Sequence, residues 1–554
     1  MPSLAIKRSL FNAAIIPAVI TVFCLVPFAN KAFHIDDPMY IWAAKHIQNN
    51  PVDFYGFTVN WESTEMPMAQ VNKNPPLVSF YIALVAWLFG FSEIALHLAF
   101  LIPAVAVALG TYYLARLFCS QPVVAVLAAV LTPVFLVSST NIMSDTMMLA
   151  FWVWAMVFWI RGLKKSHWLF LLSAGVLLGI CALTKYFGIV LIPLLFVYSL
   201  AKKRKFGYWM LFLLIPVIIL TAYQWATHVL YGRGLLLDAA SYATEFRWTQ
   251  GPVLSSKALT GLAFTGGCVI TVLFYVPLLW SRRVLIGGIV LTILFIFAVS
   301  FAEKIGYFKV RGSDSLPGSF LIQFGLMSMA GASILGIVCA DFWKCRDADS
   351  LLLLLWVFGT VFFAAFINWT TNARSILPMV PAVGILLVRR IDRRIEARQL
   401  KNIRLALWPL IPAAFVALLV CLADYTWAGT ARDAAVELGK KYDQSTATVW
   451  FQGHWGFQYY MEAGGGRAMD FGKLKIERGD IIIIPSNNCF TRLLSEKLVR
   501  FKEVLEFTGF RRIATVNSSL GAGFYSDVWG PLPFVTGRVT PEKYYVFIAK
   551  QNAE

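Results

Sequence analysis

Six ionisable residues in this chain stand where ionisable residues are rare. His34, Asp36 and Asp37 follow directly on the first long apolar run, and Asp145 opens another. Lys185 sits in a short link between two apolar stretches, and Arg374 opens a later one. Ionisable groups at membrane boundaries are often plain anchors, whereas those held between apolar segments are usually functional. The signs are mixed, which is chemically useful. A carboxylate can take a proton from a nucleophile, while Lys and Arg can hold a phosphate. A lone aspartate, with a pKa of about 3.9, is a weak base. A neighbouring aspartate and a desolvated boundary would both push one pKa of the Asp36–Asp37 pair up.

Such residues act together only if the chain brings them to one place. The chain has 554 residues, 58% hydrophobic and 14% charged, against about a quarter charged in soluble domains. That excludes a disordered chain and argues against an ordinary soluble enzyme. Many apolar blocks approach the ~20 residues that cross a bilayer, so the chain reads as a polytopic membrane protein. The net charge of +18 is explained by cytoplasmic loops rich in Lys and Arg, with no need for a nucleic-acid partner. The eight cysteines show neither a disulfide framework nor zinc spacing. The run Leu10–Ala29 is too long for a signal peptide and lacks an A-x-A site, so it reads as the first span.

About fourteen blocks between residues 10 and 426 could span. If all cross, the basic segments 162–166, 202–206 and 389–404 fall outside, against the positive-inside rule. If the block 75–91 does not cross, every basic cluster falls inside. That block is also the weakest, with Pro75 and Pro76 at its start and Gly90 at its end. Pro75–Gly90 is therefore expected to lie in or on the outer face. About thirteen spans remain, with the N-terminus in the cytoplasm and the C-terminus outside. The first external loop then covers about 31–92, and others about 226–260 and 302–318. Short external turns hold Asn141–Asp145, Thr184–Tyr186 and Asn368–Arg374, so all six residues converge on the outer leaflet.

The fold class is mainly α: a polytopic bundle over residues 1–427, then a small C-terminal α/β domain over 428–554. In the tail, Ile481–Pro485 and Val546–Ile548 read as strands and Thr491–Val504 as an amphipathic helix. The aromatic segment Gly453–Tyr460 suits either sugar stacking or a strand packed on the membrane domain.

Several of these residues fall into known motifs. His34-Ile-Asp36-Asp37-Pro-Met-Tyr40 resembles the D-E-x-x-Y signature of GT-C glycosyltransferases, in its usual place after the first span. Asn72-Lys73-Asn74-Pro75-Pro76-Leu77 resembles their K/H/N-P-P-L motif, where a juxtamembrane helix starts. Ser139–Asp145 resembles their second acidic motif, and Leu183-Thr184-Lys185 and Arg374–Pro378 have counterparts. The chain departs from the pattern at Asp37, which is not Glu, and at Asn74, where the lipid A aminoarabinose transferases carry Lys. Those transferases and the protein O-mannosyltransferases are the named groups it is similar to, over about residues 1–390.

The resemblance implies a GT-C membrane domain that moves a sugar from a polyprenyl-phosphate carrier to an acceptor hydroxyl on a lipid, glycan or protein. It implies Asp36 as base, with Asp37 and Asp145 as catalytic partners. Lys185, Arg374 and Lys73 would bind the donor phosphate, and attack opposite the leaving phosphate would invert the anomeric centre. His34, Tyr40, Asn74 and Arg247 are candidate substrate contacts, as are Arg233, Tyr307, Lys309 and Arg311 in the other loops. A divalent cation, Mg or Mn, on Asp36, Asp37 and Asp145 is the competing use of the carboxylates. Each residue also has a bland role: Asp145 as a helix cap, Lys185 and Arg374 as snorkelling anchors, His34 as a structural hydrogen bonder. The rival functions are a flippase for lipid-linked sugars, which predicts broken helices and midplane charges, and a sensor anchored by its spans.

Overall fold

In lipid the backbone has no water to bond, so apolar runs must satisfy their N–H and C=O groups internally, as helices do. The computed structural model of the chain describes residues 4–250, 254–304, 317–400, 403–442, 447–473 and 475–552, and helices dominate it. Among the described residues, eight helices are long and apolar enough to cross a membrane, or up to ten if each of two sharply bent pairs is one span. The expected thirteen is therefore not reproduced as a count of full-length spans. Ala13–Phe28 and Trp168–Thr184 are shorter apolar helices. Val380–Glu396 is a 17-residue helix whose last turns carry Arg389, Arg390, Arg393 and Arg394.

The bent pairs support each other. Pro122–Val130 and Pro133–Ser139 meet at 68°, and Ser255–Cys268 and Thr271–Leu279 at 87°. Pro133 has no N–H to continue the first helix. The carbonyl of Leu131, freed at that break, accepts a hydrogen bond from Thr271 Oγ1 at 2.9 Å, just past the other break.

The first helix, α1 (Leu4–Leu25), leads through a short 3-10 turn into α2 (Asp37–Asn49). Met39, Tyr40, Ile41, Ala43, Ala44 and Ile47 form the buried face of α2. Pro75–Gly90 folds as the helix Leu77–Phe89, about 20 Å long and short of the ~30 Å hydrocarbon core. Val78, Ile82 and Ala86 are buried, while Leu84, Trp87, Leu88 and Phe89 are exposed. An exposed apolar face on a helix too short to span suits an interfacial position.

The helix Leu410–Tyr442 runs unbroken for 33 residues through the expected domain boundary. Beyond it lies a five-stranded sheet in the order Arg467–Ala468, Val449–Phe451, Ile481–Pro485, Glu542–Ala549, Val499–Phe507. Ile481 and Ile483 enter one apolar cluster and Ile482 and Ile484 another, on opposite faces of this central strand. The expected helix at Thr491–Val504 is absent: 491–496 carries no helix or strand, a turn covers 496–498, and the strand begins at Val499. Pairing with Glu542–Ala549, bulged between Val546 and Phe547, overrides the helical spacing of the apolar residues. The short strand pairs between Ile513 and Thr536 share the apolar core of the helices, through Ile513, Val516, Phe524, Tyr525 and Phe534.

One fully buried ion pair ties these parts together. Lys31 Nζ, just after α1, donates to Asp424 Oδ2 at 2.5 Å and to Asn141 Oδ1 at 2.6 Å. Asp424 also accepts from Thr515 Oγ1 at 2.9 Å and from Tyr525 OH at 2.8 Å. Removing one member of such a pair strands the other charge in the interior. Asp424→Ala should therefore lower stability by about 3–5 kcal/mol, and the double variant Lys31→Met/Asp424→Leu should recover much of the loss. Thermal unfolding in detergent measures both; equal losses in the single and double variants would show that the pair is not the cause.

Candidate functional site

The geometry of the acidic motif starts from the backbone. Ile35 is buried with φ +49°, a left-handed conformation that a β-branched residue rarely takes and that costs about 1–3 kcal/mol. It sits immediately before the acidic pair, whose two carboxylates part company. Asp36 Oδ2 accepts from Arg374 Nη1 at 3.0 Å. Asp37 is fully buried and its carboxylate accepts two backbone N–H groups, from His34 at 2.9 Å and Ile142 at 3.1 Å. Burial pushes the Asp37 carboxyl up to about 7, against the lowering effect of Lys31 and those two hydrogen bonds. Of the expected catalytic pair, the structure thus brings Asp36 to the site and uses Asp37 to pin the acidic loop to the turn before Asp145.

Asp145 lies buried in the first turn of the helix Ser144–Lys165. Its Oδ1 accepts from Lys185 Nζ at 2.5 Å, and its Oδ2 is 3.9 Å from Arg374 Nη1. Lys185 is the extended residue between the helix Trp168–Thr184 and a 3-10 turn. Arg374 belongs to the short helix Ala373–Ile376, capped by Asn372. The result is a row of alternating charge: Lys185, Asp145, Arg374, Asp36. Arg374 also meets Met143 Sδ at 2.8 Å and lies 5.6 Å from the centre of the Tyr525 ring.

A cavity of about 450 Å³ opens over this row. Asp36, Tyr40, Lys73, Asn74, Lys185 and Arg374 supply its polar wall, and Phe187, Ile189, Val190, Phe363 and Ile367 an apolar one. Tyr40, one turn beyond Asp36, donates to Ser144 Oγ at 3.1 Å. Lys73 is held by Asp238 Oδ2 at 2.5 Å, and Asp238 also pairs with Arg233 Nη1 at 3.1 Å. Asn72 positions the Lys73–Asn74 segment: its Oδ1 accepts from Asn74 N at 3.0 Å, while its Nδ2 donates to Tyr55 OH.

Other expected residues fall elsewhere. His34 does not line the cavity. It is packed edge-on against Trp427 and Tyr525, 3.9 Å from Asp424, and burial pushes its imidazole down to about 3. The Arg247 side chain, and Tyr307, Lys309 and Arg311, lie outside the described residues. The aromatic stretch of the tail forms a helix, Trp455–Ala463, and Phe33 N donates to Tyr460 OH at 2.7 Å. The carboxylates do not suit a cation: Asp36 and Asp145 already face Arg374 and Lys185, and Asp37 is spent on the backbone. Among the described residues no group of three or more acidic, His or Cys side chains could hold a metal ion.

Sequence reasoning missed Tyr525, Asp238 and the Lys31–Asp424 pair. Asp424 carried a signal, as an acid inside a long apolar run. Tyr525 carried none, since nothing local marks a tyrosine of the tail as the neighbour of Arg374.

The family model for dolichyl-phosphate-mannose-protein mannosyltransferases matches residues 73–227, which takes in Lys73, Asp145 and Lys185 and leaves out Asp36 and Arg374. No curated protein matches the chain. Among solved structures, the archaeal oligosaccharyltransferase AglB from Archaeoglobus fulgidus, in complex with an inhibitory peptide and a dolichol-phosphate, is similar at 12% identity. The likeness covers 87% of this chain and 70% of that one, with a TM-score of 0.50. The apo form of the Archaeoglobus fulgidus oligosaccharyltransferase is similar at 14% identity over 86% and 69%, with a TM-score of 0.50. ArnT from Cupriavidus metallidurans bound to undecaprenyl phosphate is similar at 13% identity over 87% and 94%, with a TM-score of 0.48. The chain shares the overall fold of the two Archaeoglobus fulgidus structures.

The raised pKa of Asp37 has a defined sign. A carboxyl whose folded pKa lies above its unfolded value adds stability at low pH and loses it as pH rises through the folded value. Relative to Asp37→Asn, the wild type should lose thermal stability between about pH 4 and pH 7, with no further change above pH 8. A constant difference across that range would show that Asp37 does not titrate there.

Proposed function

We propose that this chain is a membrane glycosyltransferase. In this reading it takes a sugar from a polyprenyl-phosphate carrier and places it on an acceptor hydroxyl of a lipid, glycan or protein. The observation that carries the reading is the cavity with one carboxylate, Asp36, three cations, Lys73, Lys185 and Arg374, and an apolar wall. A lipid phosphate needs the cations and the wall, and an acceptor hydroxyl needs the carboxylate. The family match and the shared fold support it.

The acceptor oxygen attacks the anomeric carbon while the bond from that carbon to the phosphate oxygen breaks. The hydroxyl proton passes to Asp36. The electron pair of the broken bond leaves with the polyprenyl phosphate, whose growing charge Lys185 and Arg374 stabilise. Attack from the face opposite the phosphate inverts the anomeric centre. Arg374 has a second part in this scheme. It pairs with Asp36 in this structure, and a donor phosphate would draw it away and free Asp36 as the base. Asp145 stays behind both cations and keeps them in place.

Orientation follows from charge. The helix Ser144–Lys165 has Asp145 at one end and Lys164 and Lys165 at the other. The basic clusters so lie opposite the site, and the positive-inside tendency supports a site on the extracytoplasmic side of a cytoplasmic membrane. A transporter would share the broken helices. The residues at the two breaks, Leu131 and Thr132, Val269 and Ile270, carry no charge, and the ionisable groups gather at the ends of spans instead.

The test is release of polyprenyl phosphate by purified protein in lipid, from carriers with different radiolabelled sugars, with and without membrane extract as acceptor. Asp36→Asn should lose about 10²–10⁴-fold in turnover at unchanged protein level and carrier binding. Lys185→Met and Arg374→Met should each lose about 10²–10³-fold in kcat. Full turnover in Asp36→Asn would reject it as base, and binding of carriers without turnover would favour the transporter.

A further inference from the structure

The reaction cavity has a neighbour. A second cavity, of about 570 Å³, opens between α2, the hairpin Thr58–Asn60/Glu65–Pro67 and the tail. Trp42 and His46 reach it from α2, Asn60 from the hairpin, Glu462 and Asp470 from the tail. The Trp42 ring stands edge-on to Trp61 at 6.2 Å, and Trp61 lines the reaction cavity. One pair of rings therefore forms the wall between the two spaces. Because α2 begins at the acidic motif, Trp42 lies only about 9 Å along the helix axis from Asp36.

The lining has unspent hydrogen-bonding capacity. Asn60 Oδ1 and His46 Nε2 are buried and have no partner. Asn60 is not free to turn away, because its Nδ2 donates to the Met469 carbonyl at 3.0 Å. Its Oδ1 is enclosed without a donor beside the cavity, and a buried polar atom left unmet is costly, so a shift of the lining that lets a donor reach it is favoured. A ligand that suits this space offers a flat apolar face to Trp42 and groups that both donate and accept to Asn60, His46, Glu462 and Asp470. Sugar rings do this: their C–H faces stack on aromatics and their hydroxyls do both. Glu65, Glu462 and Asp470 outnumber Lys45 on the lining, so an anionic ligand is disfavoured.

We propose that the second cavity seats a neutral glycan portion of the acceptor, which passes the Trp42–Trp61 wall to bring one hydroxyl to Asp36. The inference rests on the glycosyltransferase reading and adds the class of acceptor. Glycan binding is measured apart from turnover, so that the two can fail separately.

The experiment is equilibrium binding to the full-length protein in lipid nanodiscs. The probes are radiolabelled neutral tetrasaccharides of glucose, mannose and galactose, their phosphorylated counterparts and a serine-rich peptide. At least one neutral tetrasaccharide should bind, more tightly than its phosphorylated form, and about tenfold more weakly to Trp42→Ala and to Glu462→Gln. Glu462 is exposed and Gln keeps its shape, so that variant tests the cavity even if Trp42→Ala fails to fold. In turnover assays the bound glycan should serve as acceptor, and both variants should raise its KM rather than the carrier KM. Absence of neutral-glycan binding, binding unaffected by Glu462→Gln, or preference for the peptide or the phosphorylated glycans would overturn the proposal. Glycan binding by a protein that turns over no carrier would overturn the enzyme reading and leave the glycan site standing.

Discussion

A lysine and an aspartate buried away from water, Lys31 and Asp424, hold this structure to one arrangement. Each alone would be very costly to bury, and the pair is tolerated only because its remaining hydrogen-bonding capacity is met. Asn141, Thr515 and Tyr525 meet it, from the turn before Asp145 and from the tail. Five separate pieces of chain must therefore agree on one point in space. The acidic motif begins three residues after that point at His34, and Arg374 lies over the Tyr525 ring that helps to build it. The positions of the site residues follow from a polar cluster that does not itself line the cavity.

The same economy governs the site. Arg374 faces Asp36 and Asp145, and Lys185 completes the row, so no charge stands without an opposite neighbour. A row of this kind is nearly neutral as a whole, which lets it lie beside apolar walls. It is also poised, since its members exchange partners when a ligand adds charge. The strain at Ile35 fits this picture: the backbone is bent so that Asp36 faces the cavity and Asp37 the protein interior.

Much of the site was legible because charge obeys simple rules at a membrane. Basic clusters sort to one side, and with Pro75–Gly90 read as non-spanning, Asp36, Asp145, Lys185 and Arg374 are expected together on the other. The structure brings those four into one row. Asp37 was not separable from Asp36 by type or position, because only the backbone conformation at Ile35 sends the two apart. Lys31 and Asp424 are 393 residues apart, and no local pattern pairs them. The expected helix Thr491–Val504 gives way to a strand from Val499, because long-range pairing with Glu542–Ala549 outweighs the local apolar spacing. Among the described residues the full-length spans number fewer than thirteen, because some apolar helices bend and others are short.

The pairing of Lys31 with Asp424 has a consequence for how the chain is made. Lys31 leaves the ribosome early, directly behind the first apolar helix. Its partner follows 393 residues later, and Tyr525 later still. At synthesis rates of about 5–20 residues per second, the lysine waits for tens of seconds without its counter-ion. During that interval the acidic motif has no fixed position, and Arg374 is not yet in place. The site cannot mature from the N-terminus forward; it closes only when the segment that carries Thr515 and Tyr525 has been made and has folded. A truncated product, however complete its membrane helices, is a lysine in search of an anion, and quality control has a charge to recognise.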